Sequence, residues 1–318
     1  MRRARPLLGT IVDLQARARD KNILKRALEA GFAAIARVQR LMSFHESTSD
    51  VSRMNREAFR RSVTVDQWTW RVLQAAQGFA HESDGTFDIT VGRLLATLHY
   101  LPRQTSRCDS NSNNGHPEPR MLSERGTSQT TSRVFREVLR CAQDDSSAWR
   151  DIGLEKNCAV RFRHRLTIDL GGIAKGFAVD CAVEALKKAG VQAGLVNAGG
   201  DLRVFGLQKE SVRIRSPLDH SRAAGIVTLQ NRALATSATY FSRKKCGGRV
   251  RSALINGQTQ QPFVDDISIS VAADDCMTAD ALTKIVFALR ERARPILANH
   301  RANAVILERD SAPKCFPS

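Results

Sequence analysis

The stretch "LTIDLGGIAKGFAVD", Leu166 to Asp180, constrains this chain more than any other segment. Leu166-Thr167-Ile168-Asp169-Leu170 is short, apolar and β-branched, and predicts a strand. Ala174 to Lys188 predicts a helix, with Phe177, Val179, Ala182, Val183 and Leu186 on its apolar face. Gly171 and Gly172 form the turn between them, where a missing Cβ lets backbone approach a ligand closely. The helix start offers unpaired N–H groups and a positive dipole end to an anion. Lys175 adds a mobile cation there, and Asp169 places a carboxylate just before the glycines. A tight turn with a surface lysine accounts for the glycines alone. The carboxylate points instead to a phosphate site, or a phosphate-plus-metal site.

Around this junction the chain reads as a few helices and then clustered short strands. Leu7 to Leu14 predicts one strand, Asn22 to Met42 an amphipathic helix, and Gln67 to His81 a second helix. Between these helices lie the polar loop "SFHESTSD" and a short segment ending in Asn55. Residues 102–148 are rich in Ser, Thr, Asn, Arg and Gln, with little apolar periodicity, and only "VFREVLRCAQ" there suits a short helix. They read as a loose insertion within one domain formed by 1–101 and 149–318. After it come strands at 158–163, over "GLVNAGGDLRVFG", near 212–215 and 225–230, and at 267–272. A helix at 278–290 and a strand at 303–308 follow. Clustered strands with short turns predict an α+β fold rather than a doubly wound parallel sheet.

The 49 Lys and Arg against 32 Asp and Glu leave a net charge of +17. That charge suits nucleic acid, anionic lipid or a phosphorylated small molecule. The basic residues are scattered, with no long Lys/Arg run and no base-stacking aromatic series, so no nucleic-acid partner is expected. No apolar run approaches the ~20 residues of a membrane helix. The seven cysteines show no CxxC or other metal-ligand spacing and read as thiols in a reducing compartment. The start "MRRARPLLGTIVDLQ" lacks an export-type cleavage pattern, so the expected location is cytoplasmic.

The ordered pieces "LLGTIVD", "LMSFHESTSDVSRMN", "SDGTFDITVGRL", "IDLGGIAKGFAVD", "VNAGGDLRVFG", "ALATSATYF" and "TADALTKIVFAL" resemble the FAD:protein FMN transferase (ApbE-like) family. They follow the family's order and cover nearly all of the chain outside 102–148. The resemblance implies mixed, largely antiparallel sheets with packed helices. It also implies an enzyme that cleaves FAD, transfers FMN to a Thr or Ser hydroxyl of an acceptor protein and releases AMP with the help of magnesium. Family members are often exported and membrane-anchored. By this similarity, Leu8, His45, Asn55, Thr86, Phe87, Asp88 and Leu254 border the flavin nucleotide, and Asp169 and Lys175 contact FAD. The Gly172 carbonyl and Asp280 face the metal.

Several positions depart from the family pattern. Ala253 stands where the family has a histidine, so the general base is left unassigned. Thr236-Ser237-Ala238 replaces a TSG piece, and His45 an aromatic residue. Lys284 stands at the metal position where the family has a metal-binding threonine, and Thr283 beside it is a candidate hydroxyl ligand for the metal, though it faces another side of the helix. Asp280 and Lys284 are spaced i, i+4 and can pair. An ammonium 4 Å from a divalent ion is repelled by ~4 kcal/mol per unit of opposing charge at an effective dielectric near 20. Either Lys284 turns away, or its ammonium replaces the metal. The alternative to a transferase is therefore an FAD-binding relative with reduced or no activity.

Overall fold

The computed structural model describes residues 1–102, 148–216, 223–246, 249–309 and 312–317. The expected insertion, with its short helix, lies outside these residues except at Pro102 and Ala148. Eight strands form the main sheet: Arg2–Leu7, Thr10–Arg17, Ala193–Ala198, Asp201–Phe205, Ala233–Ala238, Ile267–Ala273, Asn303–Glu308 and Lys314–Phe316. They lie side by side in chain order, each antiparallel to the next. This is the α+β architecture expected, a meander whose connections carry the helices. No described helix is long and apolar enough to cross a membrane. Cys158, Cys181, Cys276 and Cys315 are free thiols.

Helix Lys21–Met42 begins where the Asp20 side chain accepts from the Asn22 N–H. It buries Leu24, Leu28, Phe32, Ile35 and Val38 on one stripe. That stripe packs on helix Ala174–Lys188, which in turn packs on helix Cys276–Leu289. The latter two meet at Gly176, where a Cβ would lie 2.2 Å from the Cys276 carbonyl oxygen. At this crossing each helix caps the other. Asp180, on the first helix, accepts from the Cys276 and Met277 N–H groups at 2.9 and 2.8 Å. Asp280, on the second, accepts from the Gly176 N–H at 3.1 Å. Asp275 accepts from the Thr278 N–H, so the Cys276 helix starts earlier than the expected 278. Asp180 also pairs with Arg203 at 2.8 Å.

Two strand expectations change. Leu7 to Leu14 is not one strand but a hairpin that turns at Leu8 and Gly9, whose φ angles are +54° and +69°. Leu8 is an unusual residue for a positive φ, and its N–H donates to the Gln39 side chain at 2.8 Å. Leu166 to Leu170 is extended but joins no sheet. Its partner is a side chain: the Asn55 amide accepts from the Ile168 N–H at 2.8 Å and donates to the Ile168 carbonyl at 3.0 Å. Helix Asp50–Glu57 carries that asparagine, capped by Ser49. Backbone bonds from Gly92 N–H to Thr167 carbonyl and from Asp169 N–H to Ile89 carbonyl complete the clamp.

The helix crossing yields a pair of expectations for denaturant unfolding. Gly176→Ala loses at least about 2 kcal/mol through overpacking against the Cys276 carbonyl. Gly78→Ala, in the exposed helix position where a Cβ meets nothing within 4 Å, gains about 0.5–1 kcal/mol. Equal effects at the two sites would contradict the close crossing.

Asp180 sets a pH dependence. Burial raises its pKa from 3.8 to about 6, against Arg203 and the two N–H donors. The folded state therefore binds this proton more tightly than the unfolded chain does. Its contribution is fully present below 3.8 and is lost as pH rises through about 6. The stability difference between wild type and Asp180→Asn should shift by about 2 kcal/mol between pH 4 and 7, with the wild type losing ground as pH rises. Parallel pH profiles of the two proteins would refute it.

Candidate functional site

A cleft of about 880 Å³ opens between the start of helix Ala174–Lys188, the Thr86–Asp88 loop and the segment around Leu254. This volume lies within the range of nucleotide and cofactor sites. Its lining includes Thr86, Phe87, Asp88, Asp169, Gly172, Lys175, Leu254 and Lys284, which come from four distant parts of the chain. Backbone bonds join those parts. The Gly257 N–H donates to the Thr86 carbonyl at 3.0 Å, and a Cβ on Gly257 would lie 2.4 Å from the Asp88 Cβ. Gly172 sits between the Phe87 ring and the Lys284 stem: a Cβ there would be 3.6 and 3.7 Å from them. The Asp88 side chain accepts from the Thr90 N–H and hydroxyl, both at 2.8 Å. Thr86 Oγ1 is buried without a hydrogen-bond partner among the described residues. The cleft can therefore use an acceptor or donor brought by a ligand.

The remaining expected residues lie outside the cleft wall. Leu8 occupies the hairpin turn, and Asn55 spends its amide on Ile168, positioning Asp169 rather than bordering the cleft. His45 is exposed, and its positive form favours a charged Asp169, so it neighbours a cleft residue without lining the wall. Asp280 and Thr283 are fully buried behind the cleft. The Thr283 hydroxyl bonds Ser237 Oγ at 2.7 Å and donates to the Asp280 carbonyl at 2.7 Å.

The expected metal position is filled by the chain itself. Lys284 donates from Nζ to Asp280 Oδ1 and, at 3.0 Å, to the Asp280 carbonyl. Asp280 Oδ2 already accepts from Gly176. An ammonium has no lone pair with which to ligate a cation, and here it sits on the one carboxylate assigned to the metal. Thr283 is turned into the protein. No group of three or more His, Cys, Asp or Glu among the described residues is arranged to hold a metal ion. As arranged, these residues do not fit magnesium.

Beside this pair stands a second one. Lys175 donates to Asp201, the first residue of strand Asp201–Phe205, just after the Gly199-Gly200 turn. Burial, then the neighbouring Asp280, raise Asp201 above the usual aspartate range, opposed by Lys175 and Lys284. Burial disfavours the Lys175 charge, but Asp201 and Asp280 together hold its pKa above the ordinary lysine value. Burial also raises Asp169, while the Gly171 N–H and His45 pull it down. Both lysines line the cleft, and the two buried carboxylates that hold them do not.

Some lining residues escaped the sequence reading. Arg213 and Arg215 reach the cleft from the two-stranded hairpin of Glu210–Arg215 and Ala223–Leu229. Their alternation around Ile214 reads as an ordinary strand face. Tyr240 and Phe241, whose ring centroids are 4.5 Å apart, form part of the wall where the chain leaves strand Ala233–Ala238. Two adjacent aromatics were the available signal.

The comparisons with known proteins agree with this fold. The chain is 23% identical over 286 residues to a protein named FAD:protein FMN transferase from Klebsiella pneumoniae, covering 89% of this chain and 80% of that one. It is 26% identical over 285 residues to one of the same name from Vibrio cholerae, with 87% and 78% covered. Its fold is similar to the crystal structure of the ApbE protein from Thermotoga maritima, with a TM-score of 0.81, 24% identity and 99% and 96% of the chains covered. It is also similar to the flavin transferase ApbE from Vibrio cholerae, with a TM-score of 0.75, 22% identity and 100% and 96% covered. The model of the ApbE family matches residues 8–307, so the chain, whose glycine turn and lysine stand at the centre of one shared cleft, belongs to the ApbE family.

Proposed function

We propose that this chain is an FAD:protein FMN transferase, acting on FAD and on an acceptor protein that presents a Thr or Ser hydroxyl. The observation that carries the reading is that two lysines, Lys175 and Lys284, line one cleft at the double-glycine turn. A pyrophosphate brought there meets two cations and the start of a helix. Phe87, Leu254 and the Tyr240–Phe241 pair supply apolar and aromatic wall for the ring systems.

In the proposed reaction the acceptor oxygen forms a bond to the phosphorus of the FMN half. The bond from that phosphorus to the bridging oxygen breaks, and AMP leaves with the electron pair. Such chemistry depends on positioning and on neutralising the charge that builds on phosphate oxygens, the role given to Lys175 and Lys284. The acceptor hydroxyl must also lose its proton. No histidine lines the cleft among the described residues, and Ala253 offers no base. Asp169 takes this role: it lines the cleft, and burial raises its proton affinity. No step is assigned to a divalent metal, because the ammonium of Lys284 already occupies the Asp280 carboxylate.

Incubation with FAD and a Thr- or Ser-bearing acceptor should yield a covalent flavin adduct and AMP in equal amounts. FAD that binds but releases no AMP would mark the chain as a binder and not a transferase. The double variant Lys175→Met with Asp201→Asn removes the ammonium without leaving its buried carboxylate unpaired. It should weaken FAD binding by about 10-fold or more, the value of one charge-assisted bond.

Asp169 can serve as the proton acceptor only when charged, so turnover should rise with pH through its raised pKa. Asp169→Asn keeps an oxygen for the Gly171 N–H and should lower turnover by about 100-fold or more while leaving FAD affinity little changed. A wild-type pH profile retained in the variant would remove Asp169 from the reaction.

A further inference from the structure

We infer that Lys284 stands in for a divalent metal, so that the protein grips the FAD pyrophosphate between two lysine ammonium groups without magnesium. The inference rests on the flavin reading above and concerns how the same cleft neutralises its ligand. Three observations carry it. First, both oxygens of Asp280 are engaged, one by Lys284 Nζ and the other by the Gly176 N–H. A cation would have to break the ion pair or uncap a helix to reach this carboxylate. Second, the charges are layered. Lys175 and Lys284 line the cleft, while Asp201 and Asp280 are buried at 1% and 0% exposure behind them. The carboxylates of Asp13, Asp88 and Asp169 also line the cleft, but at this part of its wall a ligand meets the two lysines ahead of their aspartates, an order that favours a phosphate over a metal ion. Third, the position is built. The Lys284 stem packs beside Gly172, at the turn where a pyrophosphate would approach, and its side chain is 12% exposed. That exposure excludes a lysine merely waving in solvent.

The four groups act as one unit. Asp280 acts on both Asp201 and Lys175, and Lys284 acts on Asp201. Two lysines and two aspartates sum to zero, so the buried aspartates carry no uncompensated charge while the lysines stay at the cleft wall. A magnesium ion added to it would create an excess of two positive charges in a partly desolvated place.

The test titrates FAD into the wild-type protein by flavin fluorescence, once in EDTA and once with excess Mg²⁺. Equal Kd values in the two buffers are expected, together with no heat of Mg²⁺ binding to the protein alone. A Kd that tightens about tenfold or more on adding Mg²⁺ would overturn the inference and leave the flavin reading standing. No FAD binding in either buffer would overturn both.

Two variants sharpen the result, each checked for folding by thermal unfolding because Asp280 loses its partner. Lys284→Thr should bind FAD at least about tenfold more weakly in EDTA and recover with Mg²⁺, since it removes the cation and supplies a hydroxyl. Lys284→Met should lose the same affinity and recover much less. Wild-type affinity in folded Lys284→Met, with or without Mg²⁺, would also sink the proposal.

Discussion

Two helices that cap each other hold this site together. The N-terminal N–H groups of a helix need acceptors, and a buried helix start without them is costly. Here Asp180 supplies acceptors to the Cys276 helix, and Asp280 supplies one to the Ala174 helix. Gly176 lets the two approach closely enough for both bonds. This answers why the motif ends in a carboxylate. Asp169 serves the cleft, while Asp180, eleven positions on, ties in the helix that delivers Lys284.

The consequence for the charges is direct. Because Asp280 is held by a backbone N–H on one oxygen, only its other oxygen faces Lys284. Asp201 stands at the head of its strand and accepts from Lys175. Rigid backbone thus fixes both carboxylates beneath two longer, adjustable side chains. Anions placed behind cations in this way preorganise positive charge for a ligand whose charge distribution changes as a phosphate bond breaks.

Much of the scaffold was legible in the sequence. Helices Lys21–Met42, Gln67–Glu82 and Ala174–Lys188 announced themselves through apolar spacing, because a long amphipathic period has few rival explanations. The Leu7 to Leu14 hairpin was not legible, since Leu8 gives no hint that it will take a positive φ. Nor was the fate of Leu166 to Leu170. Its composition is that of a strand, but strand pairing is a tertiary event, and the partner turned out to be the Asn55 side chain. In the site, Asp88, Asp169, Gly172 and Lys175 were readable from their motifs. The Asp280–Lys284 pairing was readable as a possibility from i, i+4 spacing, but which way the lysine turned depended on Gly172 and Gly176, far away in sequence. Asn55 was assigned to the cleft border and belongs instead to the support beneath Asp169. Arg213 and Arg215 left no signal, because an alternating strand reads the same whether it faces water or a ligand.

The Asn55 clamp also bears on how a second polypeptide can come near. An extended segment beside a ligand site is a natural template for a foreign chain to join by edge-to-edge addition. At Ile168 that template is closed, because one amide occupies both the N–H and the carbonyl. The neighbouring Thr167 carbonyl and Asp169 N–H are taken by Gly92 and Ile89. Four of the six main-chain groups of these three consecutive residues are therefore already engaged. At this segment an incoming polypeptide finds little backbone to borrow and meets side chains and local shape instead.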